Sequence, residues 1–134
     1  MLLRGRALCT AARLSPHVQA PSLAPLVHSL IAALGHEQPA ALRLCACRAL
    51  TDVCEAVAGG AAAGGAVAGG AHSGTSSAGG GGGGGVLVGA VGTIMPLLSA
   101  LLPVPSEDAA ILTLEAIRAT LRLDAAASAA CEPW

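Results

Sequence analysis

Arg43-Leu44-Cys45-Ala46-Cys47-Arg48-Ala49-Leu50-Thr51-Asp52-Val53-Cys54-Glu55-Ala56-Val57 is the stretch that decides the fold. Leu42, Ala46, Ala49, Leu50, Val53 and Val57 recur at steps of three and four, the spacing of one face of an α-helix. Arg48 and Asp52 fall on the other face as an i,i+4 pair, worth only a few tenths of a kcal/mol. A helix is therefore predicted over about Pro39 to Val57. Working back, Leu23, Leu26, Val27, Leu30, Ile31 and Leu34 form a second stripe. Ser22 is placed as its N-cap and Gly35 at C′. Before that, Leu3, Ala7, Leu8, Ala11 and Leu14 predict a helix over Leu3 to Leu14, stopped by Ser15-Pro16.

Working forward, the language changes from Ala58 to Gly85. The segment holds 14 of the 18 glycines, including an unbroken run from Gly79 to Gly85. So little side-chain area cannot offset the backbone entropy of ordering, and a disordered Gly/Ala-rich loop is expected over 58–85. No Gly-Lys-Ser/Thr follows these glycines, so they do not read as a phosphate cradle. A fourth helix is predicted over Thr93 to Leu102, with Pro96 in its first turn and Ile94, Leu97, Leu98, Leu101 and Leu102 as its stripe. Pro103-Val104-Pro105 ends it. The fifth helix is predicted over Ser106 to Leu123. Glu107 and Asp108 stand in its first turn, where the helix dipole favours acids. Ile111, Leu114, Ile117 and Leu121 line one face, with Leu112 and Leu123 beside them.

The chain thus divides into helices at 1–57, the loop at 58–85, further helices at 86–124 and a tail at 125–134. Helices one and three begin about 35 residues apart. Helices three and five begin 67 apart, or 39 once the 28-residue Gly/Ala stretch is removed. Both steps approach the ~40-residue period of HEAT-like repeats. The expected fold is all-α: a HEAT/ARM-like α-solenoid segment of about two helical hairpins and half of a third. Repeats of this kind bury their faces on neighbours, so Leu3, Leu14, Ile117 and Leu121 on the terminal helices are expected to lack an outer partner.

Composition narrows the function. Of 134 residues only 11% are charged, against ~25% in an ordinary domain, while 54% are hydrophobic. There is no Lys, Phe or Tyr, and Trp134 is the one aromatic, so the core must be built from Leu, Ile, Val and Ala. A net charge of -1 and the lack of aromatics exclude a basic groove or a base-stacking platform for nucleic acid. Of five cysteines, Cys9, Cys45, Cys47, Cys54 and Cys131, four fall within predicted helices or at their ends, and helical cysteines read as small core residues in a reducing compartment. Cys45 and Cys47 cannot easily share a metal, since i and i+2 point ~200° apart on a helix. Cys47 and Cys54 share a face, but no His joins them. His17, His28, His36 and His72 are scattered, and Glu107-Asp108 reads as helix N-terminal charge. No catalytic, cofactor-binding or metal-ligating residue stands out, and the chain does not read as an enzyme.

Three pieces carry a resemblance. Arg4-Gly5-Arg6-Ala7-Leu8-Cys9-Thr10-Ala11-Ala12-Arg13-Leu14-Ser15-Pro16 resembles a HEAT A-helix of the importin-β (karyopherin-β) family, and Ala41-Leu42-Arg43-Leu44-Cys45-Ala46-Cys47-Arg48-Ala49-Leu50 resembles the next one. Leu97-Leu98-Ser99-Ala100-Leu101-Leu102, with Ser106-Glu107-Asp108 and Leu114-Glu115-Ala116-Ile117, resembles the hairpin after it. Their order is most similar to the middle of the importin-nine branch, over about residues 4–57 and 93–124. The resemblance implies a protein-binding segment of a nuclear transport receptor, working in cytoplasm and nucleus. Its implied partners are protein cargo, held by the B-helices at Ser22–Leu34 and Thr93–Leu102, and the Ran GTPase through a longer solenoid. No individual cargo or Ran contact is carried over, and no cofactor is implied.

Two other readings rest on composition. No charged residue occurs from Ala56 to Pro105, and Val86 to Leu102 is an apolar run at the short edge of a spanning helix, which would make a small membrane-associated protein. Gly89, Gly92 and Pro96 interrupt it, and no basic residue flanks it. Arg4, Arg6 and Arg13, with no acid before Glu37, also resemble an organelle transit peptide.

Overall fold

A computed structural model describes residues 2–17, 20–66 and 82–131. Five α-helices account for most of them: α1 (Leu2–Leu14), α2 (Ala20–Leu34), α3 (Ala40–Ala66), α4 (Gly82–Ser99) and α5 (Glu107–Cys131). A 3₁₀ turn, Ser15–His17, leaves α1, and there is no strand among the described residues. The chain is all-α.

The helices lie in two layers. α3 packs on α1 along one side and on α5 along the other. α2 packs on α4 in the second layer, and the layers meet chiefly through α2 on α3 and α4 on α5. α1 on α2 and α3 on α4 touch less. Between the layers the closer pairs are thus α2–α3 and α4–α5, although α1 and α2 are joined by an equally short connection.

Helix α3 is the axis of the core because it is covered from three sides. Ala46, Cys47, Ala49, Leu50 and Val53 are fully buried, with Cys54 almost so. Val27, Leu30 and Leu34 of α2 and Leu87, Ile94 and Leu98 of α4 close over it. Leu101 is completely buried too, although the helix ends at Ser99 and residues 100–104 form turns instead of the predicted last helical turn.

Local chemistry explains the helix ends. Ser106 caps α5: its Oγ accepts from the Ala109 N–H at 3.4 Å, and its carbonyl accepts from Ala110 at 3.0 Å. Pro39 opens α3 by accepting from the Leu42 and Arg43 amides. Arg43 reaches back so that its Nε donates to the last carbonyl of α2, Leu34, at 3.2 Å, which sets a cation against the helix C-terminus. Ser22 is not the N-cap it was expected to be, because α2 begins two residues earlier with Pro21 in its first turn.

The predicted loop over 58–85 is helical at both of its ends. α3 continues to Ala66 through Gly59-Gly60 and Gly64-Gly65, and α4 begins at Gly82. Propagating a helix already nucleated by packing costs about 1 kcal/mol at each glycine, a smaller penalty than starting one there. Residues 67–81 of that loop lie outside the described residues. α5 likewise passes its predicted end and continues to Cys131. Pro96 consequently sits near the end of α4 and not in its first turn.

Candidate functional site

Helix α5 is turned the opposite way from its apolar stripe. Its inner face is Ala109, Thr113, Ala116, Thr120 and Leu123, all nearly inaccessible. Ile111, Leu114 and Leu121 remain 48%, 55% and 48% exposed, and Ile117 is half-buried. The stripe of large residues is therefore the outer face, and of its two residues expected to lack an outer partner Leu121 is exposed and Ile117 half-buried. The cause lies in α3, which presents the small side chains Cys47 and Cys54 to α5. Small residues on both helices let the backbones approach closely. The Thr113 hydroxyl donates to the Ala109 carbonyl at 2.7 Å and the Thr120 hydroxyl to Ala116 at 2.8 Å, so both buried hydroxyls are satisfied.

Cys47 meets Thr113 and Cys54 meets Thr120, one pair seven residues beyond the other on each helix. Burial pushes each thiol up to about 11. A hydrogen bond with Thr113 and the Arg43 charge oppose the rise at Cys47, and a hydrogen bond with Thr120 opposes it at Cys54. These thiols stay protonated and serve as packing. Cys45 instead faces α1, where a Cβ on Gly5 would stand 3.1 Å from its Sγ. The two neighbouring cysteines of α3 thus point to different helices. Cys9 lies beside Cys45, and its thiol is raised by burial and then by Cys45 and Asp52. Gly5, Cys9 and Cys45 line a shallow apolar groove with Leu2 and Leu42. Among the described residues no three of His, Cys, Asp and Glu come together as metal ligands. His17, His28 and His36 are exposed and apart, and His72 lies outside the described residues.

Charge is sorted between the layers. α2 and α4 contain no Asp, Glu, Lys or Arg at all. Their exposed positions are small or weakly polar: Pro25, His28 and Ser29 on α2, Thr93, Pro96 and Ser99 on α4. The charged helical residues belong to α1, α3 and α5. At the two edges of that layer, Leu3 and Leu14 of α1 are 81% and 53% exposed, matching the outward stripe of α5.

The apolar side of α4 is used by the core: Leu87, Ile94 and Leu98 are at most 2% exposed. No helix of the described residues is long and apolar enough to cross a membrane. No family model, curated protein or solved structure matches the chain.

The apolar residues without an outer partner include Leu121, as expected; the feature that sequence periodicity missed is the packed face of small residues on α5. Its signal is present: small residues recur at Ala109, Thr113, Ala116 and Thr120 opposite the large ones, so the helix is apolar on two sides. A helix of that pattern has neighbours on both sides or stands at an open edge.

Proposed function

We propose that the chain is a protein-binding scaffold, a HEAT/ARM-like α-solenoid segment of the kind found in importin-like nuclear transport receptors. The observation that carries the reading is the alternation of the layers. Odd helices pack on odd helices and even on even, with α3 between α1 and α5. A stack built this way extends by adding helices at its edges and offers each layer as a continuous surface. Further support comes from the open apolar edges at Leu3, Leu14, Leu114 and Leu121, where a stack would continue.

In this reading the α2/α4 surface holds the partner. Because that surface has no charged residue, it takes a weakly polar or apolar segment of cargo and is not suited to reading a basic signal by charge. Ran would be engaged through a longer solenoid, and the protein would move between cytoplasm and nucleus.

The test is expression of the tagged full chain in cells, with proximity labelling and affinity recovery. The transport role expects soluble distribution in both compartments and recovery of import cargo or Ran. Introducing Ser29→Arg with Ser99→Arg on the neutral surface should abolish recovery of cargo while leaving helix content unchanged. Recovery of neither cargo nor Ran refutes the transport role, and cleavage near the N-terminus inside an organelle assigns the chain to import there instead.

A further inference from the structure

We infer that the two open edges of the α1–α3–α5 layer bind each other in different copies, so that the chain associates head to tail, with α5 of one copy against α1 of the next. The occupant of each edge is a second copy of this chain.

The apolar parts fit. Leu3 and Leu14 of α1 are 11 residues apart, which spans ~16 Å along a helix. Ile111 and Leu121 of α5 are 10 residues apart, or ~15 Å. Along the helix axis the two apolar pairs are therefore in register. All four are between about half and four-fifths exposed, so their burial is available to drive association.

The charges select this pairing over like with like. α1 carries Arg4, Arg6 and Arg13, all exposed, and no acid. α5 carries Glu107, Asp108, Glu115 and Asp124 against Arg118 and Arg122. Two α1 edges would bring six arginines together, and two α5 edges would oppose two net acidic helices. Only α1 against α5 places opposite net charges across the contact.

The layer also supplies the pattern. Within one molecule α3 is gripped by a helix on each side, and Gly5 and the Thr113/Thr120 face make those seams close. A second copy continues the row. Because the two surfaces differ, the contact is heterologous: it leaves one edge free at each end and extends beyond a dimer.

The experiment uses the full chain in sedimentation velocity and light scattering, from about 1 to about 100 μM, where a contact of modest size is populated. The average mass should climb with concentration past twice the 12.9 kDa of one chain. Leu3→Glu with Leu14→Glu blocks one edge, and Ile111→Glu with Leu121→Glu blocks the other. Each blocked chain alone should be monomeric, and an equimolar mixture should form a 1:1 dimer and nothing larger, because each variant retains one intact edge. The positions are exposed, and unchanged circular dichroism checks that each variant is folded. A wild-type chain that stays monomeric throughout overturns the inference. So does a blocked chain that still dimerises, which would mean a symmetric contact, or a mixture of folded variants that does not pair. None of these results touches the transport role, whose readout is cargo and Ran.

Discussion

Replacing Ala116 by Leu should damage the protein more than replacing Leu114 by Ala, the reverse of what an apolar stripe predicts. Ala116 has no accessible surface, and Thr113 and Thr120 beside it have 0% and 2%. Three added carbons have no space between α5 and α3, so overpacking costs about 1–3 kcal/mol, with the upper end expected where helix backbones approach closely. Leu114 is 55% exposed, so its truncation forfeits less than half of the ~2–3 kcal/mol of a fully buried leucine, about 1 kcal/mol. Leu and Ala differ little in helix propensity, so nothing offsets the comparison. At roughly 3–4 °C per kcal/mol for a chain of this size, Ala116→Leu lowers Tm by about 5–10 °C and Leu114→Ala by about 3 °C. Thermal and urea melts followed by circular dichroism measure both, at concentrations low enough to keep copies apart. If Leu114→Ala proves the more damaging, α5 is rotated with its leucines inward. The outward edge would then be lost as well.

Three further outcomes are expected. A Cβ at Gly89 or Gly92 meets nothing within 4 Å, so Gly89→Ala with Gly92→Ala should stabilise α4 by about 1–2 kcal/mol; a lowered urea midpoint would show that these glycines are needed for close approach. Gly5→Ala should be near neutral, because a helix gain of about 0.5–1 kcal/mol is offset by the 3.1 Å contact with Cys45 Sγ. Adding Cys45→Ala should release that gain, and a double-mutant cycle without positive coupling would refute the contact. Cys47 and Cys54 are held protonated in the fold, from 9.0 up to about 11, while the unfolded chain loses those protons near 9.0. Their contribution is therefore complete below pH 9.0 and lost as pH rises toward 11, about 2–3 kcal/mol per thiol. Urea midpoints across that window should fall steeply for the native chain and more shallowly for Cys47→Ala with Cys54→Ala, and equal slopes would contradict the assignment.

Sequence periodicity succeeds where large side chains and burial coincide. On α2 and α3 the stripes Leu23, Val27, Leu30, Leu34 and Leu42, Ala46, Leu50, Val53 are the buried faces, because both helices are covered by others. On α5 the stripe marks the outer face instead, and the packed face of Ala109, Thr113, Ala116 and Thr120 was not singled out because the rule looks for the larger residues. It also underestimates α3 and α4, where glycine composition reads as loop but packing upstream or downstream carries the helix across Gly59-Gly60 and Gly82–Gly85. The sorting of charge was equally present in the sequence, in the uncharged run from Ala56 to Pro105 and the uncharged α2, yet it had no spatial meaning until α2 and α4 were seen to share a layer. That sorting constrains function more than any single residue does. On the proposed reading, a neutral surface on one side and a charged row with two apolar, oppositely charged ends on the other separate two tasks: the first suits a partner taken by shape and weak polarity, the second sets which chain stands next in line. Each task has its own set of substitutions, Ser29 and Ser99 for one and Leu3, Leu14, Ile111 and Leu121 for the other. Loss of partner recovery with assembly intact, or the converse, would show the two surfaces working independently, whereas variants that always fail together would mean that the partner is held only by the assembled row.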